Sequence, residues 1–201
     1  MSHWVIAARI CTMPRWEQGA EDRLREAAFE LFLERGYENV TVAQITERAG
    51  LTRRTFSRYF ADKRDVLFAG SEQLPVALAE AIGKADSRFT PSQALMAALE
   101  QVGEMLADRV ASHAAQRRAI ANSSAELQER ERTKFAAVAA AIDAALRQRG
   151  VAPSTAGLLA DVGVAIFRTG FGRWVDEPDA ATLPTRLREA ATELADAFDS
   201  R

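Results

Sequence analysis

Between Thr52 and Arg64 the sequence sets five cations, Arg53, Arg54, Arg58, Lys63 and Arg64, against one acid, Asp62. A guanidinium presents a planar fork of donors that fits phosphate oxygens or the O6/N7 edge of guanine. Hydroxyls on Thr41 and Tyr59 suit phosphate oxygens as well. Other site chemistry finds little material. One cysteine (Cys11) and two histidines (His3, His113) exclude an internal disulfide and leave too few ligands for structural zinc. A di-iron bundle needs Glu-x-x-His, and the residue three before His113 is Val110. No glycine-rich phosphate loop or Ser–His–Asp constellation is present either. No catalytic residue, cofactor or metal is therefore expected.

The elements around these cations are legible from short-range signals. Thr41 followed by Gln44 forms a capping box, and Val42, Ile45 and Ala49 continue at helical spacing until Gly50. Thr52 caps a second helix, which carries Arg53, Arg54, Thr55, Ser57 and Arg58, with Phe56 and Phe60 turned to a core. Upstream, Leu24, Ala27, Ala28, Leu31 and Phe32 mark one face of a helix that Gly36 ends. Asp62 is a suitable N-cap for a fourth helix. A helix, a glycine-containing turn and a basic helix make the layout that reads a DNA major groove.

The full chain of 201 residues carries a net charge of −2, which weakly opposes nucleic acid as a partner. Local charge decides the encounter, however: residues 52–64 are +4, whereas residues 71–201 hold 15 bases and 18 acids. The apolar run Trp4 to Ala8 is too short for a membrane span, so no membrane partner is expected, and one cysteine fits a cytoplasmic protein. Sustained alternation is absent and helical spacing prevails, so the fold class is all-α with about nine helices. Later helices are expected over 92–112, around Arg117 to Ile120, and over 125–149, 154–175 and 183–198.

Residues 16–67 resemble the DNA-binding domain of TetR-family transcriptional regulators. The match runs through Ala28, Phe32, Gly36-Tyr37, Thr41-Val42, Ile45, Ala49-Gly50-Leu51-Thr52, Thr55, Tyr59-Phe60, Lys63 and Leu67. Ser57 departs from it, since the family often has an aromatic residue there. The resemblance implies an extension over 1–14, a helix-turn-helix domain over 15–61 and a ligand-binding and dimerisation bundle over 62–201. Met13 precedes the matched segment, so the extension is either an over-early start or an arm of the native chain. Arg15-Trp16, Arg54-Thr55-Phe56 and the Glu129 to Arg132 run resemble a subgroup with a mycofactocin-regulator-like C-terminal domain, for which acyl-CoA-like effectors are expected.

The same resemblance implies partners: a double-stranded operator, a second copy of the chain and a small-molecule effector. DNA contacts are expected from Thr41, Gln44, Thr52, Arg53, Arg54, Thr55, Arg58, Tyr59 and Lys63. Here Lys63 matches the family's phosphate-binding lysine, and Arg53 and Arg54 lie in the first turn that meets base edges. An apolar pocket is expected among Met96, Leu99, Met105, Leu106, Ile120, Phe135, Phe167, Phe171 and Trp174. Arg117, Arg118 and Arg168 are available to an anionic group there. Gly163, Gly170, Leu187, Ala190, Ala191, Leu194 and Phe198 are expected at the dimer interface. Alternatives retain the fold but replace the effector with a protein partner, or dispense with regulation by ligand altogether.

Overall fold

The computed structural model describes residues 15–110 and 113–199; the expected extension, with His3 and Cys11, lies outside them. Among the described residues there are ten α-helices, one 3-10 turn and no strand. The chain divides into two compact units between Leu67 and Phe68. That division is later than the expected one after residue 61, and Val66 and Leu67, just before it, are buried.

The first unit contains α1 (Arg15–Arg35), the 3-10 turn (Tyr37–Asn39), α2 (Val42–Arg48), α3 (Arg53–Tyr59) and the start of α4 (Lys63–Phe68). Leu24, Leu31, Ile45 and Phe56 are sealed from solvent and hold the three long-range faces together. The Phe56 and Phe60 rings lie 5.4 Å apart, and burying both fixes how α3 is rolled about its axis. Its opposite face is thereby committed to solvent.

The second unit contains α5 (Gln73–Lys84), α6 (Pro91–Val110), α7 (Ala114–Asn122), α8 (Ala125–Gln148), α9 (Pro153–Asp176) and α10 (Leu183–Asp199). α9 packs on α8 and α10, while α5 packs on α8 and α6. Leu78, Ile82, Leu95, Leu99, Ile142 and Leu146 form its dry centre. Arg149 donates to the carbonyls of Ile82, Ala85 and Asp86 at 3.1, 2.8 and 2.9 Å, satisfying the end of α5. The rings of Phe135, Phe167, Phe171 and Trp174 follow one another at 6.2, 5.8 and 5.7 Å. No helix among the described residues is long and apolar enough to cross a membrane.

Candidate functional site

The turn between α2 and α3 follows directly from its sequence. Thr41 Oγ1 accepts from the Gln44 backbone N–H at 3.3 Å, and Gln44 Oε1 accepts from the Thr41 N–H at 2.8 Å, completing the capping box. At the other end of α2, Leu51 N–H donates to Thr46 O (2.8 Å) and Gly50 N–H to Glu47 O (3.0 Å), a Schellman arrangement. Gly50 has φ +63°, a conformation that costs a side-chain-bearing residue about 1–2 kcal/mol. Thr52 then caps α3, accepting from Thr55 N–H at 3.1 Å.

Two arginines tie this motif to α1. Arg23 donates to the Ala49 carbonyl. Arg48 reaches Glu30 at 3.0 Å and Glu34 at 2.8 Å, and its hydrogen bond holds the Glu34 carboxyl below its ordinary range. The end of α2 is therefore tied to α1.

Arg53 and Arg54 occupy the first turn of α3 and are exposed, with no acid or carbonyl in hydrogen-bond reach among the described residues. Cations in a first helical turn oppose the positive end of the helix dipole, and no acid offsets them there. Such a local conflict with helix stability is expected where a negative partner completes the arrangement. Arg58 is held in place by its neighbour: its guanidinium donates to Tyr59 Oη at 2.7 Å and lies 5.0 Å from that ring. Thr52, Thr55 and Thr41 keep their hydroxyls at the helix ends, engaged in capping.

Lys63 departs from the expectation of a phosphate ligand. Its ammonium donates to the carbonyls of Tyr37 (2.8 Å), Val40 (3.0 Å) and Glu38 (3.4 Å) and sits 4.2 Å from the Tyr37 ring. An ammonium has three protons, so this lysine is committed to the turn that leads into α2. The sequence showed the charge but not those carbonyls, which lie over twenty residues upstream. Asp62 caps α4 through Arg64 and Asp65 N–H groups at 2.8 and 3.2 Å, and its side-chain bond to Arg64 lowers its pKa.

In the second unit, a groove of 430 Å³ opens between Arg118 and Asn122 of α7, Glu131 and Phe135 of α8, and Ala165, Arg168, Thr169 and Gly172 of α9. Of the apolar residues expected to form a pocket, only Phe135 lines it. Leu99, Ile120, Phe167 and Trp174 are core, Met96, Leu106 and Phe171 pack partly buried against that core, and Met105 is exposed. Arg118 and Arg168 line the groove, whereas Arg117 lies with its guanidinium 5.2 Å from the Phe68 ring. Asn122, Glu131, Ala165, Thr169 and Gly172 were missed, because their shared surface exists only once three helices meet.

The expected dimer contacts also divide. Gly163 lies against Leu95 and Ile142 of its own chain, Gly170 lies against Leu187, and Leu187 and Ala190 are buried within the unit. Ala191 and Leu194 keep partial exposure, and Phe198 is 80% exposed. Small residues on α9 thus serve close approach within the protomer, a correction to their expected use between protomers.

Lys134, next to the lining residue Phe135, is half-buried beside Arg117 and Glu131 and lies 4.8 Å from the Phe135 ring. Desolvation first, and then Arg117, push its pKa from 10.5 down to about 8, with Glu131 opposing. From about pH 8 to 10.5 the unfolded chain holds more protons than the folded one, so stability rises with pH in that window. Below pH 8 both states are protonated and the cost of the buried charge is felt in full. Lys134→Met is expected to raise the urea midpoint near pH 7, with a gain that shrinks toward pH 10. An unchanged or lower midpoint near pH 7 would show that the fold accommodates the charge without penalty.

Residues 24–69 match the family described as bacterial regulatory proteins, tetR family. The chain is 37% identical over 81 residues to the HTH-type transcriptional regulator TcmR of Streptomyces glaucescens, an alignment covering 40% of this chain and 36% of that relative. It thus spans about a third of the curated relative's length. Its fold is similar to that of a Syntrophomonas wolfei protein assigned to the TetR family (TM-score 0.61, 17% identity, 87% of this chain and 92% of that one). SmeT of Stenotrophomonas maltophilia, solved with triclosan, is similar as well (TM-score 0.58, 21% identity, 88% and 91% covered). At those identities the two structures speak for the fold.

Proposed function

We propose, from the match of residues 24–69 to the tetR family of bacterial regulatory proteins, that this chain is a cytoplasmic repressor binding a palindromic operator as a homodimer. A small amphipathic effector in the second unit releases it. The family consists of regulators, and the chain is a DNA-binding protein rather than an enzyme. The observation that carries the reading is the pair Arg53 and Arg54, exposed on the first turn of a helix whose other face is sealed by Phe56. Arg58, Tyr59, Thr41, Gln44, Thr52 and Thr55 surround them as contacts to the DNA backbone or as caps. Lys63 is left out of this set, since its protons are used inside the fold.

Effector release requires differential affinity. A ligand lowers DNA occupancy only if it binds the DNA-incompatible state better, with coupling typically about 1–3 kcal/mol. The α7–α8–α9 groove supports an effector site by its size, which lies within the range of small-molecule sites. SmeT, whose fold is similar, was solved with triclosan, and this chain is proposed to bind a small molecule as well. Selection of bound sites from random duplex DNA tests the core of the reading. Two inverted half-sites are expected, and recovery of a single unrepeated site would overturn the dimeric operator.

The dimer itself is supported by large apolar side chains left in water on α9 and α10: Leu158 is 65% exposed and Phe198 80% exposed. Ala191 and Leu194 share α10 with Phe198 and are partly exposed. The double substitution Leu158→Glu/Phe198→Glu is expected to shift the protein to monomers in sedimentation velocity while its helical signal persists. A variant that remains dimeric would place the interface elsewhere.

A further inference from the structure

We propose that the α7–α8–α9 groove selects an organic anion, whose carboxylate, phosphate or sulfonate lies between Arg118 and Arg168 and whose apolar body rests on Phe135. This inference rests on the reading of the second unit as the effector-binding part and names the chemistry of that effector.

Charge is the first argument. Residues 71–201 hold 15 bases and 18 acids, a net −3, so a random patch of this unit is acidic. Among the charged groups that line the groove or interact with its lining, the balance reverses. Arg117, Arg118, Lys134 and Arg168 stand against Glu131 and Asp176, a net +2. Part of this arrangement is costly: desolvation first, and then the charge of Arg117, lower the affinity of Lys134 for its proton. A negative ligand would repay that repulsion.

Geometry is the second argument. Arg118 is fixed in place, with Nη1 donating to Gly172 O at 2.9 Å and to Asp176 at 2.8 Å. Arg168 is different. It is exposed on the groove wall, its guanidinium lies 5.6 Å from the Phe135 ring, and no acid or carbonyl is within hydrogen-bond reach among the described residues. A planar cation held at a ring face next to an open groove offers its whole donor fork to an incoming anion. Glu131 opposes an anion, but Arg117 and Lys134 both interact with its charge. What remains toward the groove is therefore cationic.

The lining also specifies an organic body. Phe135, Ala165 and Gly172 supply apolar surface, and the 430 Å³ volume is many times that of a phosphate ion. Asn122 and Thr169 can hydrogen-bond polar substituents on such a body.

The test uses the full chain and two ligand bodies, each with three charges: 2-naphthoate and decanoate, the corresponding alcohols, and the corresponding amines. Calorimetric titration near pH 7 at fixed ionic strength is expected to show at least one carboxylate binding about tenfold or more tightly than its alcohol, with the amine weakest. Arg168→Gln should abolish that preference, and Glu131→Gln should strengthen carboxylate binding severalfold; Arg168 is exposed, so its loss does not threaten folding. Equal binding of acid and alcohol, carboxylate affinity unmoved by Arg168→Gln, or no binding by any of the six compounds would overturn the proposal. Operator binding, measured in the same samples, separates the two readings. Carboxylate binding without any effect on DNA affinity would keep the anion site and remove the effector role. Operator release by acid and alcohol alike would keep the effector role and remove the anion preference.

Discussion

Replacing Arg53 and Arg54 together by alanine is expected to weaken operator binding about a hundredfold or more, with helical content and dimerisation unchanged. Both side chains are exposed and make no hydrogen bond or ion pair among the described residues, so the fold loses nothing when they are removed. Relieving two cations from the positive end of α3 should, if anything, stabilise that helix slightly. The DNA complex loses much more. A bidentate arginine–guanine contact is worth about 1–3 kcal/mol, and each 1.4 kcal/mol is tenfold in affinity, so two lost contacts reach about a hundredfold. Fluorescence anisotropy with a labelled operator at fixed salt would measure it. A change smaller than threefold would remove α3 from the interface. Discrimination between operator and random DNA should collapse along with affinity. If only affinity falls, and equally for all sequences, these arginines contact phosphates rather than bases.

Gly170→Val should lower the melting temperature by roughly 6–12 °C, corresponding to about 3 kcal/mol at 2–4 °C per kcal/mol for a chain of this size. A Cβ at residue 170 would come within 2.8 Å of Leu187 Cδ2, 3.0 Å of the Arg186 carbonyl oxygen and 3.0 Å of Leu187 Cα. A side-chain tip can swing away, but the backbone of α10 cannot do so locally. The whole α9–α10 contact must open. Gly83 is the control: it lies within α5, and a Cβ there meets nothing within 4 Å. Gly83→Ala is expected to stabilise by about 0.5–1 kcal/mol through helix propensity alone. If Gly170→Val melted like the wild type, the close approach would not be sustained in solution. If Gly83→Ala were the more damaging, the intrachain packing inferred for both helices would be wrong.

The contrast between these two sites shows where reading from sequence holds. Thr41, Gln44, Gly50 and Thr52 act on groups within five residues of themselves, through caps and a left-handed turn. Such interactions are written in local order, so the helix boundaries and the outward face of α3 were legible before any coordinates. Of the later helices, α5 was not among those expected, but the bounds of α8 and α9 were legible for the same reason: α8 ends near Gly150 and α9 begins at Pro153, at residues whose backbone chemistry marks ends of helices.

Long-range partners are a different matter. Lys63 looked like a phosphate ligand because its charge is visible and the carbonyls of Tyr37 and Val40 that absorb it are not. Gly170 looked like an intermolecular contact because a glycine in a helix announces close approach without naming the neighbour, which proved to be Leu187. Periodicity also marked Leu99, Phe167 and Trp174 as apolar without distinguishing a pocket wall from a core. That distinction depends on whether two helices touch or diverge, and hence on packing.

By itself, then, the sequence determined the all-α class, the helix-turn-helix and the placement of Arg53 and Arg54 on the exposed first turn of α3. Those depend on backbone capping and helical spacing, which act over a few residues. Only the tertiary structure decided that Lys63 belongs to the fold, that Gly163 and Gly170 pack within one chain, and that Arg118, Glu131, Phe135 and Arg168 share one groove. Those outcomes depend on which faces of distant helices are brought together, a choice made by the burial of the whole core.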